Sequence, residues 1–427
     1  MSHQTDSTNH LLAGAVDGGQ RGDGRAGRRA QAALGFATSA CFCAAVVGSN
    51  LPGPLLPLYR DHLGLTAFAV AALFSTYFVG LIAMFLAMSR THLGRRSDIL
   101  LPVALLIGAA GDVALWSGAD HVALLFAGRA LTGICVGIAT GAAATLAVVA
   151  TGERGRTLAA TGAILGSLLG LMASAIIAEL LPQPMVLVYR LHAALLLVCC
   201  ATLVAAQWRT RDLLEARLGQ SAAPAEPTHP TGRPGSPRTT FAAYAIGAAG
   251  WTVGGIAAGV LPTAMSGGVA GASPIVSVLA ALVLFVTAWL VPRLAGRWGW
   301  AATVPTILVE IGAGAVAIAA GLIADVLWPI LVGSVLWGIG QGFAYAHGLL
   351  MLTRGLLPVE QGRRTSLYAC TSYAFCAVVV LASGAIATGW GAVTGVIAIC
   401  GLLVFWCALA AGAGRGRWAG RSPSGAA

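Results

Sequence analysis

Residues 67–96 read AFAVAALFSTYFVGLIAMFLAMSRTHLGRR, an apolar run that ends in a short segment rich in arginine. No charged side chain occurs from 67 to 89, and roughly 20 apolar residues are what a helix needs to cross a bilayer core of about 30 Å. The segment that follows holds Arg90, Arg95 and Arg96. This stretch therefore predicts a membrane-spanning helix followed by a positively charged loop.

Apolar runs of this length recur along the whole chain, which predicts an all-α membrane protein with twelve spans. Hydrophobic residues make up 57% of the 427 residues and charged residues only 9%, a composition too apolar for a soluble enzyme. The 57 glycines fit a bundle of membrane helices, because small residues let helices approach closely. The predicted spans lie near residues 33–53, 67–89, 99–117, 122–150, 157–181, 191–207, 240–265, 274–292, 301–323, 330–353, 366–388 and 392–412.

Polar segments divide the chain into two halves. Residues 1–32 are rich in Gly and Arg without a periodic apolar pattern, which predicts a disordered cytoplasmic tail. Residues 208–239 are rich in Pro, Ser and Gly and predict a flexible cytoplasmic linker. The linker separates a six-helix N-terminal bundle, 33–207, from a six-helix C-terminal bundle, 240–413, and 414–427 form a second cytoplasmic tail.

Arginine placement predicts the orientation in the bilayer. All 25 basic residues are Arg, in short clusters between apolar runs, and this layout argues against a nucleic-acid-binding surface despite the net charge of +10. With the N-terminus inside, every Arg except Arg60, Arg129 and Arg190 lies in a cytoplasmic segment, as the positive-inside rule requires. We therefore expect a multi-pass protein of the inner or plasma membrane with both termini in the cytoplasm. The absence of Lys beside abundant Ala and Gly indicates a bacterial source.

An internal repeat supports the division into halves. The segment that follows the fourth span contains Glu153-Arg154-Gly155-Arg156, and the segment that follows the tenth span contains Glu360-Gln361-Gly362-Arg363. The two glutamates lie 207 residues apart. A parallel duplication of a six-helix unit explains this spacing.

The loop after the second span carries a family resemblance. Over residues 33–413 the chain resembles the major facilitator superfamily, whose signature in this loop is Gly-x-x-x-Asp-Arg-x-Gly-Arg-Arg. The matching residues are Gly94, Arg95 and Arg96. Ala87 replaces the first Gly, and Thr91 replaces the Asp. In the family the Asp helps hold the cytoplasmic side shut through a charge-assisted contact, which a threonine at this position can replace only with an uncharged hydrogen bond.

Two further stretches extend the resemblance. The fourth span, from Arg129 to Gly137, is similar to the superfamily's Arg-x-x-Gln-Gly-x-Gly pattern, with Thr132 in place of Gln. The fifth span resembles the antiporter motif of exporters, with Ser167 in place of Pro, and the stretch that starts at Asn50 looks like sugar- and drug-efflux members. The resemblance implies two pseudo-symmetric six-helix bundles that work by alternating access.

Arg129 is the first candidate for a functional residue, because it lies about 10 Å inside the fourth span at 1.5 Å per residue. A guanidinium at that depth needs a partner or a water-filled cavity. One interpretation is a cavity-lining cation that binds substrate or affects proton coupling. The alternative is a structural pair with a backbone carbonyl, or a side chain that reaches the interface.

Glycines at every fourth residue mark the fourth and fifth spans. Such stripes either allow sliding as two halves rock or serve static close packing. The helix-packing residues predicted in this way are Gly133, Gly137, Gly162, Gly166 and Gly170.

Other polar side chains inside the spans form a second set of candidates. Asp112 and Glu310 each fit either a protonatable relay or a neutral carboxyl that holds helices together. His347 titrates in a range useful for proton coupling, and a lone intramembrane His also fits a packing role. Gln341 lies near it on the tenth span, and Asn50 ends the first span.

These features predict a secondary active transporter of a small organic solute. The first choice is proton-coupled efflux, and the alternatives are an uptake symporter for a sugar, amino acid or organic acid, or a membrane sensor or scaffold without transport. No nucleotide-binding motif or clustered set of metal ligands is present, so we expect no cofactor, no metal and no enzymatic activity. The expected partners are the solute, a proton or other ion, and the lipid bilayer around a monomer.

Overall fold

The computed structural model describes residues 6–90, 96–212, 214–215, 237–269, 271, 273–299, 302–353 and 358–414. This part of the chain is helical and contains no β-strand, and twelve spans are long and apolar enough to cross a membrane, as predicted. The helices are α1 Asp6–Asn50, α2 Leu56–Leu63, α3 Ala67–Arg90, α4 Ser97–Ser117, α5 Val122–Thr151, α6 Glu153–Leu180, α7 Pro184–Arg209, α8 Pro237–Gly255, α9 Leu261–Ser266, α10 Pro274–Trp298, α11 Val304–Ala324, α12 Leu327–Thr353, α13 Pro358–Trp390 and α14 Ala392–Gly414.

The first and seventh spans are each built from two helices. In the first span a 3₁₀ turn at Gly53–Leu55 joins α1 to α2, and in the seventh a π-helical turn at Ile256–Val260 joins α8 to α9. Proline explains both interruptions, because Pro52, Pro54 and Pro262 lack the backbone N–H that a regular helix needs. The two interrupted places meet, since a Cβ on Gly53 would lie 3.0 Å from the carbonyl oxygen of Ala258.

Three helices start well before the sequence-based bounds, namely α1, α7 and α13, and the last begins at Pro358 rather than near 366. Helix α1 begins at Asp6, within the stretch predicted as a disordered tail, although the part apolar enough to span a membrane begins at Arg29. A helix that is already formed extends by one residue at little cost, so polar residues can continue it. Helix α7 begins at Pro184 rather than at 191, because proline fits the first turn of a helix.

The helices form two bundles. Helices α1 and α3–α7 pack with one another, and α8 and α10–α14 do the same; the extensive contacts between bundles are α3 with α13 and α6 with α10. We call the end of the molecule that carries Arg96, Arg209 and Arg364 the arginine end, and the opposite end the far end. Most of the predicted linker, from 216 to 236, lies outside the described residues.

Apolar side chains cover the outer surface of both bundles. Val198 on α7, Val316 on α11 and Phe405 on α14 are each more than half exposed. Large apolar surfaces on helices of this length suit a hydrocarbon environment and not water. The polar groups that bear on function therefore lie inside the bundles or between them.

Candidate functional site

Arg129 lies wholly buried in the N-terminal bundle and contacts backbone oxygens. Its guanidinium donates to the carbonyls of Ser49 (3.2 Å), Leu73 (3.4 Å) and Phe74 (3.3 Å). The rings of Phe74 and Tyr77 face the guanidinium carbon at 5.8 and 5.1 Å. No carboxylate among the described residues forms an ion pair with it. This is the geometry of the structural alternative, in which a buried cation joins α5 to α1 and α3.

Local structure explains why these carbonyls are available. Ser49 is the penultimate residue of α1, and the last four carbonyls of a helix have no partner within it. Leu73 and Phe74 lie inside α3, where each carbonyl oxygen keeps a second lone pair for an additional donor. Arg129 thus donates a hydrogen bond to a carbonyl at the end of α1, close to the place where proline interrupts the first span.

Asp112 on α4 pairs with a residue that the sequence analysis missed, His192 on α7. The carboxylate oxygen Oδ2 lies 2.7 Å from the ring nitrogen Nδ1 of His192, and both side chains are buried. The other ring nitrogen, Nε2, lies 2.9 Å from the carbonyl oxygen of Ala44 on α1. An ionisable residue inside a span is a signal that could have identified His192 as a partner for Asp112. The predicted sixth span begins at 191, however, so His192 lay at its edge and was not singled out.

The hydrogen-bond pattern fixes where protons can be. A carbonyl oxygen only accepts, so Nε2 of His192 carries a hydrogen. The contact between Nδ1 and Asp112 then holds one more proton, either on the imidazole or on the carboxyl. The pair is neutral overall in both cases, which is what burial in an apolar bundle favours.

The remaining predicted polar residues are spread over the molecule. The amide nitrogen of Asn50 donates to Ser49 Oγ at 2.8 Å, at the end of α1. Glu310 on α11 is partly buried, and its Oε2 is enclosed without a hydrogen-bond partner in the described structure. His347 and Gln341 lie on α12. The structure therefore does not bring the predicted candidates together into one site.

Both glycine stripes lie inside the N-terminal bundle. A Cβ on Gly133 would overlap the carbonyl oxygen of Tyr77 on α3, and a Cβ on Gly137 would lie 2.7 Å from the Cβ of Met84. Gly162, Gly166 and Gly170 on α6 face α1 in the same way. These stripes seat helices within one bundle, which matches close packing and not sliding between halves.

The predicted gating loop is described at one position only. Thr91, Gly94 and Arg95 lie outside the described residues, and Arg96 is an exposed residue directly before α4.

Polar contacts join the two bundles at the far end. Glu179 on α6 accepts hydrogen bonds from Ser273 Oγ (2.9 Å) and from the backbone N–H of Ile275 (3.4 Å), at the start of α10. The backbone N–H of Phe68 on α3 donates to Thr388 Oγ1 on α13 at 3.0 Å. Each inter-bundle helix pair thus has one polar contact near its far end.

Aromatic side chains run from the interface into the C-terminal bundle. Tyr373 on α13 lies 5.6 Å from Phe78 of the other bundle and 4.5 Å from Trp251 on α8, between ring centres. Trp251 meets Tyr345 on α12 edge to face at 5.5 Å. We call the group the aromatic cluster; its members are Phe78, Phe85, Tyr244, Trp251, Tyr345, Tyr368 and Tyr373.

Two bundles of helices that meet through two helix pairs and enclose buried polar groups are the architecture of membrane transporters of the duplicated-bundle class. A family model described as Major Facilitator Superfamily matches residues 38–354. The chain belongs to the major facilitator superfamily. It is therefore a multi-pass membrane transporter of a small molecule and not an enzyme.

Solved structures of low sequence identity share the fold. A peptide transporter POT in complex with sulfate has a TM-score of 0.68 at 14% identity, with 89% of this chain and 94% of that chain covered. The POT family transporter PepTSo has a TM-score of 0.64 at 12% identity (91% and 98% covered), and the nucleoside transporter NupG has 0.60 at 11% (90% and 98%). A comparison with curated protein sequences gave no match.

Proposed function

We propose that the protein moves a small organic solute across the membrane by alternating access, coupled to protons. The observation that carries the coupling is the buried Asp112–His192 pair, the one close contact between an acid and a base inside the described spans. The fold supports the transport cycle, since the family's two bundles meet through helix pairs that can separate at one end and close at the other.

The far-end contacts support the alternating part of the proposal. Glu179 and Thr388 belong to different bundles, and each accepts a hydrogen bond from the opposite one. These contacts link the two bundles at the far end. Opening that end requires both to break, and they consist of one and two hydrogen bonds at exposed positions, which contribute little stability.

The pair is placed so that its protonation can affect helix packing. His192 contacts α4 through Asp112 and α1 through Ala44, and a Cβ on Gly48 would lie 2.6 Å from the His192 ring. Loss or gain of a proton leaves a net charge in an apolar interior, which is destabilising by several kcal/mol. Movement of α1 or α7 that admits water hydrates this charge and so lowers its energy. Because α1 packs on α6, a helix of the interface between the bundles, such a movement can reach that interface.

Efflux is the first proposed direction. It is supported by the glycine pattern of the fifth span and by the stretch from Asn50 that resembles efflux members of the family. Uptake is the second candidate, which the fold shared with peptide and nucleoside transporters favours.

We further propose that the arginine end and both termini face the cytoplasm of a bacterium and that the protein is a monomer. Labelling of terminal tags with a membrane-impermeant reagent tests the orientation.

The test of coupling uses a solute found by comparing export and toxin resistance in cells with and without the gene. Purified protein in proteoliposomes is then assayed in two modes, uptake driven by an imposed pH gradient of either sign and solute exchange without a gradient. We expect Asp112→Asn and His192→Gln to lower gradient-driven flux at least tenfold while exchange continues. The sign of the effective gradient separates efflux from uptake.

A matched control is available in the same chain. His62 and Asp120 form a similar contact at 3.0 Å, but both side chains are largely exposed at the far end. His62→Gln and Asp120→Asn are expected to leave both modes unchanged. Full gradient-driven flux in Asp112→Asn and His192→Gln would remove the pair from the coupling mechanism.

A further inference from the structure

Four side chains of the C-terminal bundle form one continuous face: Trp251, Gln341, Tyr345 and Tyr373. They come from α8, α12 and α13, and all four are partly exposed. Trp251 lies 12 residues into its span, and Gln341 lies 12 residues before the end of α12. Both are therefore about 18 Å from the arginine end of their helices, near the middle of a bilayer core of about 30 Å.

Two polar atoms on this face have no partner. The indole N–H of Trp251 and the amide oxygen Oε1 of Gln341 are enclosed, and neither forms a hydrogen bond in the described structure. One is a donor and the other an acceptor, yet they do not bond to each other. Enclosed polar atoms are normally paired, and unpaired ones in a native protein call for an explanation.

A glycine holds the amide beside the indole. Gly254 lies one helical turn after Trp251 on α8, and a Cβ there would lie 3.1 Å from Nε2 and 3.2 Å from Oε1 of Gln341. The amide therefore rests directly on the backbone of α8. A methyl group at position 254 would push the amide away by a few tenths of an ångström, and a larger side chain would move it further.

The face carries no formal charge. Among the described residues, no ion pair and no cation–π contact involves Trp251, Gln341, Tyr345 or Tyr373. An ionic ligand would lose its hydration here without compensation, whereas a neutral one would not. The rings of Trp251 and Tyr373 pack against each other, 4.5 Å apart between centres, and aromatic rings also pack well against a further ring.

We propose that this face is a binding subsite for a neutral, planar aromatic solute that carries a hydrogen-bond acceptor next to a donor, as aromatic lactams and amides do. The solute's acceptor takes the N–H of Trp251, its donor bonds Oε1 of Gln341, and its ring packs against Tyr345 and Tyr373. The inference rests on the proposed transport function, because it names the solute class that such a site selects.

The experiment measures equilibrium binding to the full chain in lipid nanodiscs, with no gradient, by saturation-transfer NMR. The probe is 2-quinolone, which has a ring, a carbonyl acceptor and an adjacent N–H donor. The comparison probes are N-methyl-2-quinolone, which lacks the donor, caprolactam, which lacks the aromatic ring, and naphthalene, which lacks both polar groups. We expect 2-quinolone to bind at least fivefold more tightly than each comparison probe.

Variants test the named atoms. Trp251→Phe keeps a ring and removes the N–H, Gln341→Met removes the amide, and Gly254→Ala displaces the amide without removing a polar group. Each is expected to weaken 2-quinolone binding at least fivefold in protein that elutes as a single folded species. Trp390→Phe, at an exposed position at the end of α13, is expected to bind as the parent does.

The outcomes separate this inference from the transport proposal. Absence of 2-quinolone binding, equal binding of naphthalene, or unchanged binding in folded Gly254→Ala and Gln341→Met overturns the subsite, even if gradient-driven flux of another solute is present. Specific binding without any flux supports the subsite and counts against the transport cycle.

Discussion

The guanidinium of Arg129 donates to carbonyls of two helices, and no carboxylate among the described residues meets its charge. From the sequence, its depth in the fourth span predicted that a partner or cavity was needed. Which of these it has depends on where α1 ends and how α3 is rotated, and neither follows from residue types. His192 was missed because it lay at the edge of the predicted sixth span, and its pairing with Asp112, 80 residues away in the chain, depends on how the helices pack.

At the scale of this residue, Arg129→Ala is expected to destabilise the folded protein by at least about 3 kcal/mol, since its three hydrogen bonds contribute about 1.5–3 kcal/mol each and the desolvation of the buried cation offsets part of that sum. The thermal unfolding midpoint in detergent, followed by size-exclusion chromatography, should fall by several degrees. Arg60→Ala, at an exposed position on α2, serves as the control and should leave the midpoint unchanged. An unchanged midpoint in Arg129→Ala, with transport lost, would instead support the cavity-lining role.

At the scale of helices, the glycine stripes determine how closely α5 approaches α3 and how closely α6 approaches α1. A Cβ on Gly166 would lie 2.8 Å from the Cβ of Val46, well inside normal contact. The stripes make the N-terminal bundle closely packed. They do not lie on the surfaces where the two bundles meet.

Gly133→Ala is expected to destabilise the protein by about 1–3 kcal/mol, because the added methyl overlaps the backbone of α3. Gly401→Ala on α14 is the matched control, since a Cβ there has nothing within 4 Å. That control should be neutral or stabilising by up to about 1 kcal/mol, as alanine favours a helix over glycine. Equal unfolding midpoints for the two variants would contradict the packing role.

The elements themselves were largely predictable, and their breaks were not. Hydropathy and arginine placement predict the twelve spans because bilayer thickness and loop charge act on every helix alike. The π-helical turn at Ile256–Val260 depends on Pro262 together with the packing of Gly255 against Cys376 and of Gly259 against Phe74. The unpaired atoms of Trp251 and Gln341 depend on the register of α8 against α12, which no single span encodes.

At the scale of the whole molecule, substitution of Glu179 is expected to shift the equilibrium between the closed and the open form of the far end. Glu179→Ala removes both of its inter-bundle hydrogen bonds and should raise hydrogen exchange of far-end amides in α3 and α13, measured by mass spectrometry in nanodiscs. Glu215→Ala breaks an exposed ion pair with Arg211 and should leave the hydrogen exchange of the far-end amides in α3 and α13 unchanged. Identical exchange in both variants would show that Glu179 does not help close that end.

The carbonyl contacts of Arg129 also bear on how the protein is made. All three acceptors, Ser49, Leu73 and Phe74, precede it in the chain, so a ribosome has already delivered α1 and α3 to the bilayer when the arginine arrives. Asp112 has no such advantage, because His192 is synthesised 80 residues later, a wait of about 4 to 16 s at 5–20 residues per second. During that interval the carboxyl is expected to enter the membrane protonated, so the pair acquires its shared proton during biosynthesis.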